Sequence, residues 1–178
     1  MLFIVLAILA GTIGTLPGDE WMTHQVQRLH GALVHDYVRV VTVFGTTRLA
    51  LPLLVVALVV TVVGRHWREM SFLLILFLLR LLCSTVKPIV ASPRPDLTQA
   101  IIRDFPGGFG FPSGHTLTSA VLFGGAAFMA MRFLPWRSRA LPWIVGVAWV
   151  AGAASTGFAR IWEGAHWTSD VVGGALLG

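Results

Sequence analysis

Three short stretches of this sequence carry residue types that grip phosphoryl oxygens and move protons. The first is KPIVASPRP, residues 87 to 95, which places Lys87 and Arg94 around a proline-stopped helix end. A lone lysine at such an end would simply snorkel to the interface. The second is FPSGH, residues 111 to 115, at the head of a long apolar run. Ser113 is a good helix N-cap. The free N–H groups and the macrodipole at a helix start favour an anion. Gly114 lets that backbone approach a ligand with no Cβ in the way. Capping accounts for Ser113 but not for the imidazole of His115 beside it. The third stretch is ARIWEGAHWTSD, residues 159 to 170. His166 and Asp170 are four apart, so on a helix they would share one face. A carboxylate that holds one ring N–H leaves the other imidazole nitrogen free to attack. Asp170 heads an apolar run, where an unpaired carboxylate costs several kcal/mol (about 3 to 5). It needs a partner, and His166 is nearest, with Arg160 standing just before the pair. Lys87, Arg94, Arg160, His115, His166 and Asp170 together are an inventory for binding a phosphate and breaking its ester.

The elements that must carry these residues are apolar. Of 178 residues, 56% are hydrophobic and only 12% charged, with a mean hydropathy of +0.79. A water-soluble domain carries about a quarter charged residues. The composition therefore predicts an all-α, polytopic integral membrane bundle forming a single domain over residues 1–178. The formal charge of +5 is scattered among apolar segments. That excludes a nucleic-acid stripe and suits a lipid bilayer and a phosphorylated membrane lipid as partners. The single cysteine, Cys83, excludes an internal disulfide.

Six apolar segments are predicted to span: 1–16, 45–63, 71–87, 114–134, 141–158 and 166–178. The first lacks a basic leader and reads as a retained helix rather than a signal peptide. The last is short, about 18 Å as a helix, and is expected to continue beyond Gly178. Between the first two, Met22, Val26, Leu29, Leu33 and Tyr37 recur at helical spacing. That pattern predicts one amphipathic helix lying at the interface. His24, His30 and His35 in the same stretch do not stack on one face, so no metal site is expected there.

With six spans, loops 64–70 and 131–142 share a side. They hold Arg65, Arg68, Arg132, Arg137 and Arg139 against the lone acid Glu69. The opposite loops, 17–44, 88–113 and 159–165, hold as many arginines among six acids in a far longer stretch. Cation density puts the first set in the cytoplasm and the chemistry-bearing clusters on the outer side. Arg80, buried mid-run in SFLLILFLLRLLCSTVK, shares a stripe with Ser84 and Lys87, about 10 Å deeper than Lys87. It is expected to support the site from beneath. The seven tryptophans suit interface belts, and Phe105, Phe109 and Phe111 are expected to anchor at the interface beside the site.

In order and spacing the three stretches resemble the type 2 phosphatidic acid phosphatase family, which is similar to vanadium haloperoxidases and class A bacterial acid phosphatases. Lys87 and Arg94-Pro95 match its Lys, six residues, Arg-Pro motif. Pro112-Ser113-Gly114-His115 matches the second without change, and Arg160, His166 and Asp170 match the third. Ala159 stands where the family usually has serine. The resemblance implies a lipid phosphatase that needs no metal or other cofactor and works through a phosphohistidine. His166 would be the nucleophile oriented by Asp170, and His115 the acid and then the base. Lys87, Arg94, Ser113, Gly114 and Arg160 would hold the phosphoryl oxygens. Two histidines needed in opposite protonation states imply a bell-shaped pH–rate curve. Polyprenyl pyrophosphate, phosphatidylglycerophosphate and phosphatidic acid are all candidate substrates. A phosphotransferase using the same site and a lipid-phosphate binder without turnover are the alternatives.

Overall fold

The computed structural model describes residues 1–133 and 140–178. Arg137 and Arg139, counted above toward one charged loop, lie outside the described residues. Among the described residues the regular structure is entirely helical. The elements are α1 (Leu2–Ile13), α2 (Asp19–Gln27), α3 (Ala32–Phe44), α4 (Thr47–Val63), α5 (Trp67–Val90), α6 (Gly114–Phe133), α7 (Leu141–Trp162) and α8 (Thr168–Leu177).

Helices α5, α6 and α7 are long and apolar enough to cross a bilayer, and α3 with α4 makes a fourth candidate bent by 41°. Helices α1 and α8 are apolar but have only 12 and 10 residues. At about 1.5 Å per residue neither reaches across a bilayer core of about 30 Å. The six apolar segments thus resolve into three long spans, one broken one and two short helices. Helix α5 outruns the apolar stretch 71–87 at both ends, and Glu69 in its first turn and Lys87 in its last suit the helix dipole. It ends at Ala91, which takes a left-handed φ of 53° ahead of Pro93.

The region expected to be one interfacial helix is two. Helix α2 stops at Gln27 and α3 starts at Ala32 after Gly31, whose φ of 112° no helix accommodates. The predicted apolar stripe faces the protein only in part: Val26 packs against Val38 and Trp162, while Met22, Leu29, Leu33 and Tyr37 are exposed. What α2 buries is polar, namely Asp19, Thr23 and Gln27. Asp19 accepts the backbone N–H of Ser169 at 2.8 Å and its hydroxyl at 2.7 Å, so it caps the start of α8. The Gln27 amide donates to the carbonyl of Ile101 at 2.7 Å and accepts its N–H at 3.0 Å. This short helix therefore straps the loop before α6 and the α7–α8 turn from outside the bundle. Asp19 and Gln27 are buried at acceptable cost because each finds partners, while the Thr23 hydroxyl is buried with none.

Two close approaches fix how the helices meet. The α3–α4 bend falls at Gly45, where a Cβ would stand 2.8 Å from the Cβ of His115 and 2.9 Å from Cγ2 of Thr156. Gly174 of α8 lies against the start of α6, where a Cβ would come 2.5 Å from the Ser113 carbonyl oxygen. Between α6 and α7, the Trp149 indole donates to the Ala120 carbonyl at 3.0 Å. Small residues and interhelical hydrogen bonds of this kind hold helices together where lipid offers no hydrophobic drive. At the far end from residues 87 and 114, Arg132 of α6 pairs with Glu69 of α5.

Candidate active site

The three stretches converge at one end of the bundle. Lys87, in the last turn of α5, donates to the carbonyls of Phe109 and Gly110, each at 3.0 Å. A Cβ on Gly114 would lie 4.0 Å from Cε of Lys87, so the lysine stem passes directly over the start of α6. Arg94, in the extended segment after α5, donates from Nε to the Gly108 carbonyl at 2.9 Å and from Nη1 to the Ala165 carbonyl at 2.6 Å. The same Nη1 lies 3.0 Å from Nε2 of His166.

That last contact fixes the tautomer. A guanidinium can only donate, so Nε2 accepts and the ring proton sits on Nδ1. Nδ1 then donates to Oδ2 of Asp170 at 3.1 Å. Oδ2 also accepts the Trp167 N–H at 3.1 Å. The pairing differs from the helical face expected from the spacing. Helix α8 starts at Thr168, so His166 precedes it, and Asp170 reaches back over the helix start in a capping box. His166 is 2% exposed and Asp170 fully buried. Gly110 lies against the carboxylate, where a Cβ would come 2.6 Å from Oδ2.

Ser113 directly precedes α6, as its capping chemistry predicts. Its Oγ accepts from the Thr116 hydroxyl at 3.1 Å and, at a long 3.5 Å, from the Thr116 N–H. Its backbone N–H donates to the Asp170 carbonyl at 2.9 Å, which stitches the second stretch to the third. His115, half-buried in the first turn of α6, sits under Gly45.

Arg160 is 1% exposed. Its Nη1 pairs with Glu163 and its Nη2 with Asp104 at 2.8 Å. The cation is thus shared with two carboxylates, and its Nε is buried with no partner. Neither acid stood out in the sequence as part of the site. Glu163 had a signal, since it lies three positions from Arg160 near the end of α7. Asp104 had none, because its contact crosses 56 residues. Ala159 packs against Val38 and Trp162 in a small apolar core. The three phenylalanines divide. Phe111 is buried against Phe3, with ring centroids 5.5 Å apart, while Phe105 and Phe109 are exposed. His24 donates to the Gln99 carbonyl and His30 to that of Arg28.

Burial holds the His166 ring well below its ordinary value of 6.5, and the cations Arg94, Lys87 and Arg160, with His115, push the same way. The neutral ring is the form that can attack. Folding therefore excludes a proton from this ring, and the protein loses stability as pH falls below 6.5 toward the depressed value. In ¹⁵N-histidine spectra of the protein in detergent, His166 is expected to remain the neutral Nδ1–H form at pH 6.5. A titration midpoint at or above 6.5 contradicts this.

The PAP2 superfamily pattern matches residues 68–178. Across its whole length the chain is 26% identical over 179 residues to phosphatidylglycerophosphatase B of Bacillus subtilis (strain 168), covering 86% of that protein. It is 34% identical to the lipid A 4'-phosphatase of Bacteroides thetaiotaomicron over 103 residues, which cover 53% of this chain and 41% of that one. The crystal structure of a transmembrane PAP2-type phosphatidylglycerolphosphate phosphatase from Bacillus subtilis superposes with a TM-score of 0.80 at 27% identity. That superposition covers 98% of this chain and 87% of the other. Aquifex aeolicus LpxE shares the fold, with a TM-score of 0.65 at 20% identity over 93% and 92% of the two chains.

Proposed function

Since the chain belongs to the PAP2 superfamily, we propose that it is an integral membrane enzyme that hydrolyses a lipid phosphate through a phosphohistidine on His166. The observation that carries this reading is the pair of contacts on the His166 ring. Asp170 holds the Nδ1 proton, and the Nε2 lone pair faces a cation, Arg94. When phosphate enters, its oxygens take over Arg94, and Nε2 is left facing phosphorus. Nε2 attacks in line, the phosphorus–oxygen bond to the lipid breaks, and His115 protonates the departing oxygen. Lys87, Arg94, Ser113 and the backbone of Gly114 hold the three equatorial oxygens. Arg160 adds positive charge through its unpartnered Nε, held in place by Glu163 and Asp104. His115, now neutral, takes a proton from water. The hydroxide attacks phosphorus, the nitrogen–phosphorus bond breaks, and inorganic phosphate leaves with both rings restored.

Arg65, Arg68 and Arg132 at the opposite end of the bundle support a multi-pass protein whose site faces the outer side of the cell membrane. A headgroup phosphate lies at that level while its tails stay in hydrocarbon. The relatives' names point to phosphatidylglycerophosphate or another lipid phosphomonoester as substrate. The test is phosphate release by the purified protein in detergent from phosphatidylglycerophosphate, phosphatidic acid and polyprenyl pyrophosphate, with excess EDTA. Release from at least one is expected at a rate that EDTA does not change. No release from any, or abolition by EDTA, rejects the reading.

A further inference from the structure

Beneath the site, helices α4, α5 and α6 line an apolar pocket of about 350 Å³ that is open on one side. Leu54, Leu73, Leu76 and Val121 are among its walls, and one cation, Arg80, reaches it. The cavity's polar end adjoins the site. Thr118 lines it and donates to the Gly114 carbonyl at 2.7 Å. Thr47 also lines it, two residues after the Gly45 that packs on His115. Arg80 donates from Nη1 to Ser84 at 3.2 Å and from Nη2 to Thr47 at 3.1 Å. Its Nε is buried with no partner. Among the described residues no carboxylate pairs with it. An arginine in the apolar middle of a spanning helix is expensive unless it meets a counter-charge. Two neutral hydroxyls supply none.

Resting on the function proposed above, we propose that Arg80 binds a second anion of the substrate lipid and so sets specificity. That anion is a phosphodiester one glycerol unit inward from the phosphate being cut, with the acyl chains continuing into the cavity. Three features carry the assignment. Arg80 lies on the same stripe of α5 as Lys87, about 10 Å nearer the bilayer centre. The lipid must descend in that direction from a site at the headgroup level. Arg80 also stands where the polar site gives way to an apolar space, which matches the order of groups in such a lipid: phosphomonoester, glycerol, phosphodiester, tails. A glycerol linker with two reaching side chains spans the gap, whereas the single bridging oxygen of a pyrophosphate keeps both phosphates at Lys87. Phosphatidic acid has no second anion to offer.

The experiment compares kcat/KM for phosphatidylglycerophosphate and phosphatidic acid with identical acyl chains in mixed micelles. It uses the full chain, R80Q and R80K, with p-nitrophenyl phosphate as a tail-free check that the phosphate site is folded. The full chain is expected to prefer the two-anion lipid. R80Q should cut that preference about 10- to 100-fold, mainly through KM, because a charge-assisted hydrogen bond is lost. R80K, which keeps the charge, should recover much of it. A full chain that hydrolyses phosphatidic acid as well as the two-anion lipid overturns the assignment without any variant. So does an equal loss on both lipids in R80Q, or R80K behaving like R80Q while p-nitrophenyl phosphate is still cleaved. If the full chain hydrolyses no lipid phosphate at all, the proposed function fails first and this inference with it.

Discussion

Replacing His166 with alanine is expected to lower lipid phosphate release by about 10⁴-fold or more, the scale seen when a covalent nucleophile is removed. The expectation rests on the ring's two fixed nitrogens. Nδ1 is committed to Asp170, so Nε2 is the one atom placed to attack. The variant keeps Lys87, Arg94 and Ser113, so affinity for a lipid phosphate should change far less than turnover. Two measurements check this. Acid-labile, base-stable phosphate should appear on His166 when the wild-type protein is quenched during turnover and digested for mass spectrometry. The alanine variant, confirmed as monodisperse in detergent, should show neither label nor release. Sustained release from it would remove His166 from the nucleophile's role.

Asp170→Asn separates charge from shape. The carboxylate's Oδ2 accepts two N–H groups, while Oδ1 is buried without a partner. An amide oxygen can replace Oδ2 and keep both contacts, with the NH₂ group in the empty place of Oδ1. What then disappears is the negative charge that steadies the ring as it becomes cationic on phosphorylation. In the flipped orientation the NH₂ faces Nδ1, drives the proton to Nε2 and blocks attack. Either way kcat is expected to fall about 10³- to 10⁴-fold, the range known for the orienting aspartate of a hydrolase triad. KM should move little. Adding Asp170→Asn to His166→Ala should cost nothing further, since residues that act as one unit are not additive. Turnover within threefold of wild type would reduce Asp170 to a helix cap for the Trp167 N–H.

The chemistry was legible along the chain because each motif is local. Ser113 next to Gly114, and His166 four residues before Asp170, meet through turns that only a few residues define. The bundle was legible because long apolar runs have one satisfied backbone state in a bilayer, the helix. The reading went astray where an amphipathic pattern was taken as a single interfacial helix. Spacing alone does not register the break at Gly31 or the polar face of α2, which is buried only because Ser169, Ile101 and Trp162 meet it.

By itself, then, the sequence determined the membrane setting, the helical class and the identities of the groups gathered at the site. Tertiary structure decided what those groups do there. It set the His166 tautomer through Arg94, 72 residues away, and it gave Arg160 to Glu163 and Asp104. It also left Arg80 lining an apolar pocket with, among the described residues, two hydroxyls and no carboxylate paired to it. The physical reason is range. Helix propensity, capping and hydropathy act within a turn or along one segment. The partner of a buried charge is chosen by whichever distant side chain packing brings within hydrogen-bond reach.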